Sequence, residues 1–169
     1  MAALLLLLPW LLVPFVGFFV LVQDSSVPAA LVLAAPVSLV QAVRTTEAAT
    51  QGRVVRVYPG TRRRPWGYVL VVERQDGSQR FWVDPFTGQL KARGLGGSND
   101  PLISNALPMA DLLEAAEQRA GGRAMEAEGT QIDGRPAVEV HVATAQDQIV
   151  EVYLDAYTAL VLVVIDRKP

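Results

Sequence analysis

The chain has 169 residues, 51% of them hydrophobic and 19% charged, with no cysteine and a formal net charge of −2. That composition excludes a disordered chain, a collagen-like repeat, a disulfide-stapled domain and a polyanion-binding protein. The totals conceal a sharp asymmetry: Asp24 is the only charged side chain in residues 1–40, and all 15 Lys and Arg lie beyond Gln41. A simple cytosolic enzyme would not concentrate its apolar residues in this way.

Residues 1–22 carry no charged or amide side chain. As a helix at ~1.5 Å per residue they reach about 33 Å, enough to cross a ~30 Å hydrocarbon core. Pro9, Pro14 and Gly17 are better tolerated in a membrane helix than in a soluble one. A secretory signal has a basic start and a shorter apolar run, so residues 1–24 read as a transmembrane anchor or signal segment. Cleavage after Ala29 or Ala34 is the alternative to a retained anchor. Arg44 and the cluster Arg62–Arg64 are the first basic flank, but they lie too far from the apolar run for the positive-inside rule to fix orientation. The missing basic start is also what a start lying further upstream would leave. The expected location is the cell membrane with an extracytoplasmic body, or a secreted or periplasmic body if the segment is cleaved. Residues 25–37 read as a linker.

Beyond residue 37 the chain repeats. The stretch 81–90, FWVDPFTGQL, aligns with 152–161, VYLDAYTALV, and Gly52-Arg53 aligns with Gly122-Arg123. The offset is 70 residues upstream and 71 at the aspartates, which describes two copies of a unit of about 65 residues. In the first copy Ser38 and Gln41 form a capping-box pattern, Leu39, Val43 and Thr46 share one helix face, and Gly52 ends the helix. In the second copy Met109, Leu112, Leu113, Ala116 and Ala120 recur at helical spacing until Gly121-Gly122. Strands are expected at 53–58, 68–73 and 79–84, the last two joined by a hairpin around Asp76-Gly77, and at 137–143 and 149–154.

The expected architecture is therefore α+β: two units at 38–93 and 104–169, joined by a Gly-rich linker at 94–103. Each unit is one helix packed on a three- to four-stranded antiparallel sheet, preceded by the transmembrane or signal helix.

The motif after the last hairpin strand has a physical logic. Asp84 accepts from the backbone two residues on, Thr87 sits in the turn, Gly88 supplies a left-handed conformation, and Phe86 returns a ring to the core. Asp155 and Thr158 repeat the turn, but Ala159 replaces Gly88, so the second turn is expected to differ. The run 160–165 is apolar throughout and calls for cover on both faces.

These features resemble the PepSY domain family. The resemblance rests on the helix ending in Gly-Gly-Arg, the Asp-Gly-Arg-Pro stretch at 133–136, the Val-Glu-Val at 138–140 and the recurring V-D-x-x-T-G-like turn. It covers about residues 37–92 and 104–165. It implies a non-catalytic extracytoplasmic module, commonly bacterial, that binds or regulates a protein such as an envelope peptidase. Two alternatives are a PepSY-associated transmembrane system for iron or electron transfer and a structural envelope module.

Other chemistry finds no motif. His141 is the single histidine, so H-E-x-x-H zinc ligation is missing, and its place between Val140 and Val142 reads as a partly exposed strand position. No G-x-S-x-G is present, and Asp84 and Asp155 are better employed in their own turns than as a catalytic pair. Asp76, Asp133 and Asp147 read as turn residues and not as a calcium loop. No catalytic residue, cofactor or metal is expected, and nucleic acid is excluded as a partner. Arg62, Arg63, Arg64 and Trp66 form the one local basic cluster, a candidate partner contact beside the membrane contact of residues 1–22.

Overall fold

The computed structural model describes residues 27–60, 66–97 and 105–167. The expected span over residues 1–22 lies outside them, and among the described residues no helix is long and apolar enough to cross a membrane. Among the described residues three helices, α1 (Ala29–Ala34), α2 (Leu39–Thr50) and α3 (Met109–Ala120), accompany eight strands. These are β1 (Arg53–Gly60), β2 (Gly67–Arg74), β3 (Gly77–Val83), β4 (Leu90–Leu95), β5 (Gly122–Ile132), β6 (Arg135–Thr144), β7 (Ile149–Asp155) and β8 (Val161–Arg167).

The strands form one antiparallel sheet in the order β4-β3-β2-β1-β5-β6-β7-β8. This corrects the expectation of two helix-on-sheet units. The first strand of each copy would be an edge in an isolated unit, with a row of unpaired backbone groups. Here those edges meet, and Val57 pairs with Ala127, its own equivalent 70 residues later. Pairing of equivalent positions in opposite directions places a pseudo-two-fold axis between β1 and β5, as in an isologous dimer interface.

Helices α2 and α3 lie on one face of this sheet and enclose a single core. It combines Leu39, Val43, Val57 and Leu70 of the first copy with Leu112, Leu113, Ala127, Val140 and Val152 of the second. The helix starts follow their sequences. Ser38 accepts from the Gln41 N–H at 3.1 Å while Gln41 Oε1 accepts from the Ser38 N–H at 2.9 Å. Pro108 opens α3 without a side-chain cap. At the far ends Gln51, not Gly52, takes the left-handed position that Gly121 takes in the second copy. Gly52 and Gly122 serve a different need: a Cβ there would collide with the backbone oxygens of Glu73 and Ala143.

The two copies also hold each other by a reciprocal exchange. Arg53 donates to the carbonyls of Ala106 (2.7 Å) and Leu107 (3.1 Å), which lead into α3. Its equivalent Arg123 donates to Leu33 (3.1 Å) and Ala35 (2.5 Å), which lead toward α2. The segment expected to be a linker contains α1, whose Val27, Ala29 and Val32 pack on Met125 and Ala143. Strand β8 corrects another expectation: it is a sheet edge, and Val161 and Ile165 remain exposed.

The two turns are the same turn. Asp84 Oδ1 accepts from Phe86 N (2.8 Å) and Thr87 N (3.2 Å), and Asp155 Oδ1 accepts from Tyr157 N and Thr158 N, both at 3.0 Å. Ala159 adopts φ 57° beside the 72° of Gly88, so the expected difference at Ala159 does not arise. Phe86 also departs from expectation, being 49% exposed. The turn residues that reach the interior are Pro85 and Ala156, whose carbonyls accept from Val37 N and Leu107 N.

Candidate functional site

Strand side chains alternate between faces. With Val138, Val140 and Val142 turned toward the helices, Glu139 and His141 point the other way, and so do Glu151 and Tyr153 of β7. A bulge at Val55 in β1 and another at Met125 in β5 reset the alternation in both copies. After the bulges Arg56 and Tyr58, and Glu126 and Glu128, share this second face. The candidate site is the face of the sheet away from α2 and α3.

Its two halves carry opposite charge. In the first copy Arg56 stacks over the Tyr58 ring at 5.6 Å, and Lys91 and Arg93 stand over Trp82 at 5.6 and 5.5 Å. Arg80, opposite Val71, donates to the Leu95 carbonyl at 3.0 Å. In the second copy Glu126, Glu128 and Glu151 stand where Arg56, Tyr58 and Arg80 stand in the first, and the equivalents of Lys91 and Arg93 fall in the apolar strand β8. Across the pseudo-two-fold boundary Arg56 bridges to Glu128 at 2.5 Å. An open cavity of about 250 Å³ lies on this boundary, lined by Arg56, Tyr58, Val71, Arg80, Gly97 and Glu126.

The acidic half converges on His141. Strand pairing sets Glu126 opposite it on one side and Glu151 opposite it on the other. His141 Nε2 lies 2.8 Å from Glu139 Oε1 and 3.4 Å from Glu151 Oε1, and Nδ1 lies 3.6 Å from Glu126 Oε2. The Glu151 side chain is 3% exposed and is also bridged by Arg167 from β8. Burial raises the Glu126 carboxyl above its usual range, against a lowering by His141 and with a further raising by Glu128. Tyr153 donates to Glu151 Oε2 at 3.3 Å. Its hydroxyl is pushed up to about 12 by desolvation and then by Glu139 and Glu151.

The sequence-predicted positions lie elsewhere. Arg62, Arg63 and Arg64 are outside the described residues. Trp66 is half-buried and packs edge-on against Tyr68 (5.5 Å) and Phe86 (6.1 Å) at one end of the sheet. Asp84, Thr87, Gly88, Asp155 and Thr158 sit in the two turns and hold backbone there. The charged face was missed because its residues are distant in sequence; the available signal was the alternation Glu139, His141 and Glu151, Tyr153 between apolar neighbours.

No protein-family model matches this sequence, and no curated protein does. A solved structure described as a "putative lipoprotein" from Clostridium difficile 630 is similar over 78% of this chain and 93% of its own, at 12% identity and a TM-score of 0.41. A likeness that distant adds nothing to the functional reading.

Proposed function

We propose that this chain is a non-catalytic cell-envelope module that holds a protein partner on the open face of its sheet. The observation that carries the reading is the basic, aromatic half of that face. Arg56, Arg80, Lys91 and Arg93 surround Tyr58 and Trp82 on β1, β3 and β4 of the first half-sheet, beside a cavity large enough for one or two side chains. Arginine with aromatic rings is the composition from which binding hot spots are built. An acidic, partly apolar segment complements it, and the neighbouring acidic half repels the same segment in the wrong register.

The partner class is a peptidase of the envelope, restrained rather than cleaved. The PepSY-like turns support that choice, as does the apolar head, which would keep the body at the membrane. The test is to incubate the full-length chain in detergent micelles with envelope peptidases and measure binding and residual activity. Arg80→Glu combined with Lys91→Glu and Arg93→Glu is expected to weaken binding at least tenfold without changing the circular dichroism. Peptidases that neither bind nor lose activity, or a triple variant that binds as well as the native chain, would remove the proposal.

A further inference from the structure

We propose that Glu139, His141 and Glu151 form a binding site for a divalent transition-metal ion, with zinc as the reference ion. The three residues come from adjacent positions of two paired strands in the middle of the second half-sheet, so backbone hydrogen bonding holds their Cβ positions. Their ligand atoms all lie within 4.8 Å of one another. Tetrahedral zinc bound at about 2.1 Å sets its ligands about 3.4 Å apart. His141 Nε2 to Glu151 Oε1 is already 3.4 Å, and His141 Nε2 to Glu139 Oε1 is 2.8 Å. A small outward rotation of the Glu139 carboxylate completes the cage. One imidazole nitrogen with two carboxylate oxygens and an open position is a donor set suited to zinc or a similar borderline ion.

Independent features point to a cation rather than to a closed ion-pair network. The first is charge: Glu139 and Glu151 share one imidazole and the Arg167 guanidinium, while Glu126 lies in the field of Arg56, and the Glu151 carboxylate is withdrawn from water at 3% side-chain exposure. Such a carboxylate needs full compensation. The second is the far nitrogen of the ring. Glu126 Oε2 lies on the Nδ1 side of the ring, 3.6 Å away and just beyond hydrogen-bond length. A small rotation of Glu126 would bring it to where metal-bound histidines place a carboxylate that takes the N–H and leaves Nε2 with its lone pair outward. Tyr153 steadies the other oxygen of Glu151. The resident competitor is Arg167, whose guanidinium sits on Glu151 Oε1, the oxygen the ion would take. Its side chain is 65% exposed and can swing away.

The competitor gives the proposal a signature that a merely acidic surface would not show. The experiment is calorimetric titration of the untagged full-length chain in detergent with zinc at neutral pH, with X-ray absorption on the loaded protein. The expected result is one saturable site with one nitrogen and otherwise oxygen ligands. Glu139→Gln and His141→Gln are expected to weaken it at least tenfold, while Arg167→Ala tightens it. His141 is the only histidine, so its imidazole nitrogen resonances report ligation directly by NMR. Absence of saturable binding, or equal affinity in His141→Gln, overturns the proposal. Should His141→Gln fail to fold, Arg167→Ala still decides: an unchanged or weakened affinity there, or unshifted His141 resonances in the native chain, overturns it equally.

Discussion

Ala159 shows what a single residue contributes to the repeat. At φ 57° it stands where the first copy has Gly88 at 72°, and a left-handed non-glycine residue costs about 1–2 kcal/mol. Part of that strain is offset by the smaller entropy alanine loses on folding. Ala159→Gly is therefore expected to stabilise the chain by about 0.5–1 kcal/mol in denaturant titration, and Gly88→Ala to cost a similar amount. The Gly88 site has space, with Val37 Cγ2 at 3.7 Å from a Cβ, so backbone strain alone is read out.

Asp155 adds a pH effect at the same turn. The Thr158 hydroxyl at 2.9 Å, followed by the Tyr157 N–H, lowers its carboxyl below the usual range. A folded pKa below the unfolded one means that the stabilisation is complete above the unfolded value of about 3.9 and is lost as pH falls through the folded one. In Thr158→Val the carboxyl is expected to titrate closer to 3.9 by NMR, and an unmoved titration would deny the hydroxyl this role.

At the scale of elements, α2 and α3 are each tied to the bulged strand that follows. Glu47 Oε1 accepts from the Val54 N–H and Glu117 Oε1 from the Ala124 N–H, both at 2.9 Å and both across seven residues. The bulge takes this N–H out of the regular ladder, and Val54 and Ala124 are buried, so the glutamate supplies the acceptor that water cannot. Burial raises the Glu117 carboxyl above its usual range, partly countered by the Ala124 N–H. A carboxylate raised on folding weakens the fold as pH rises through the window between its unfolded and folded values, and fully so above it. Glu117→Gln keeps the acceptor without the charge and is expected to match or exceed native stability at pH 7. Glu117→Ala strands the buried N–H and is expected to cost about 1–2 kcal/mol. Thermal unfolding of the two variants at pH 7 separates these outcomes.

For the molecule as a whole, the junction between copies is structural. β1 and β5 pair, α2 and α3 share one core, and Arg44 of α2 bridges to Glu114 of α3 at 2.9 Å. The full chain is expected to unfold in one transition. A chain ending at residue 97 loses the cover of Val57 and the Ala106 and Leu107 carbonyls that accept from Arg53, and is expected to lack cooperative unfolding by circular dichroism. A sharp, independent transition in that fragment would show that the copies fold separately.

The periodicity of the chain determined α2 and α3, since Leu112, Leu113 and Ala116 leave no other face to bury. It also determined the hairpins and the tandem repeat, because Asp-Gly turns and recurring motifs are local. Two features were not local. An alternating strand such as 137–143 reports which side chains share a face but not which strand lies beside it, so a sheet of eight looked like two sheets of three or four. His141 likewise looked solitary, because Glu126 and Glu151 reach it only through the register of β5 and β7. Tertiary structure alone decided that the copies join at β1 and β5 and that the second face divides into basic and acidic halves. The physical reason is that backbone hydrogen bonding between strands carries no sequence code of its own.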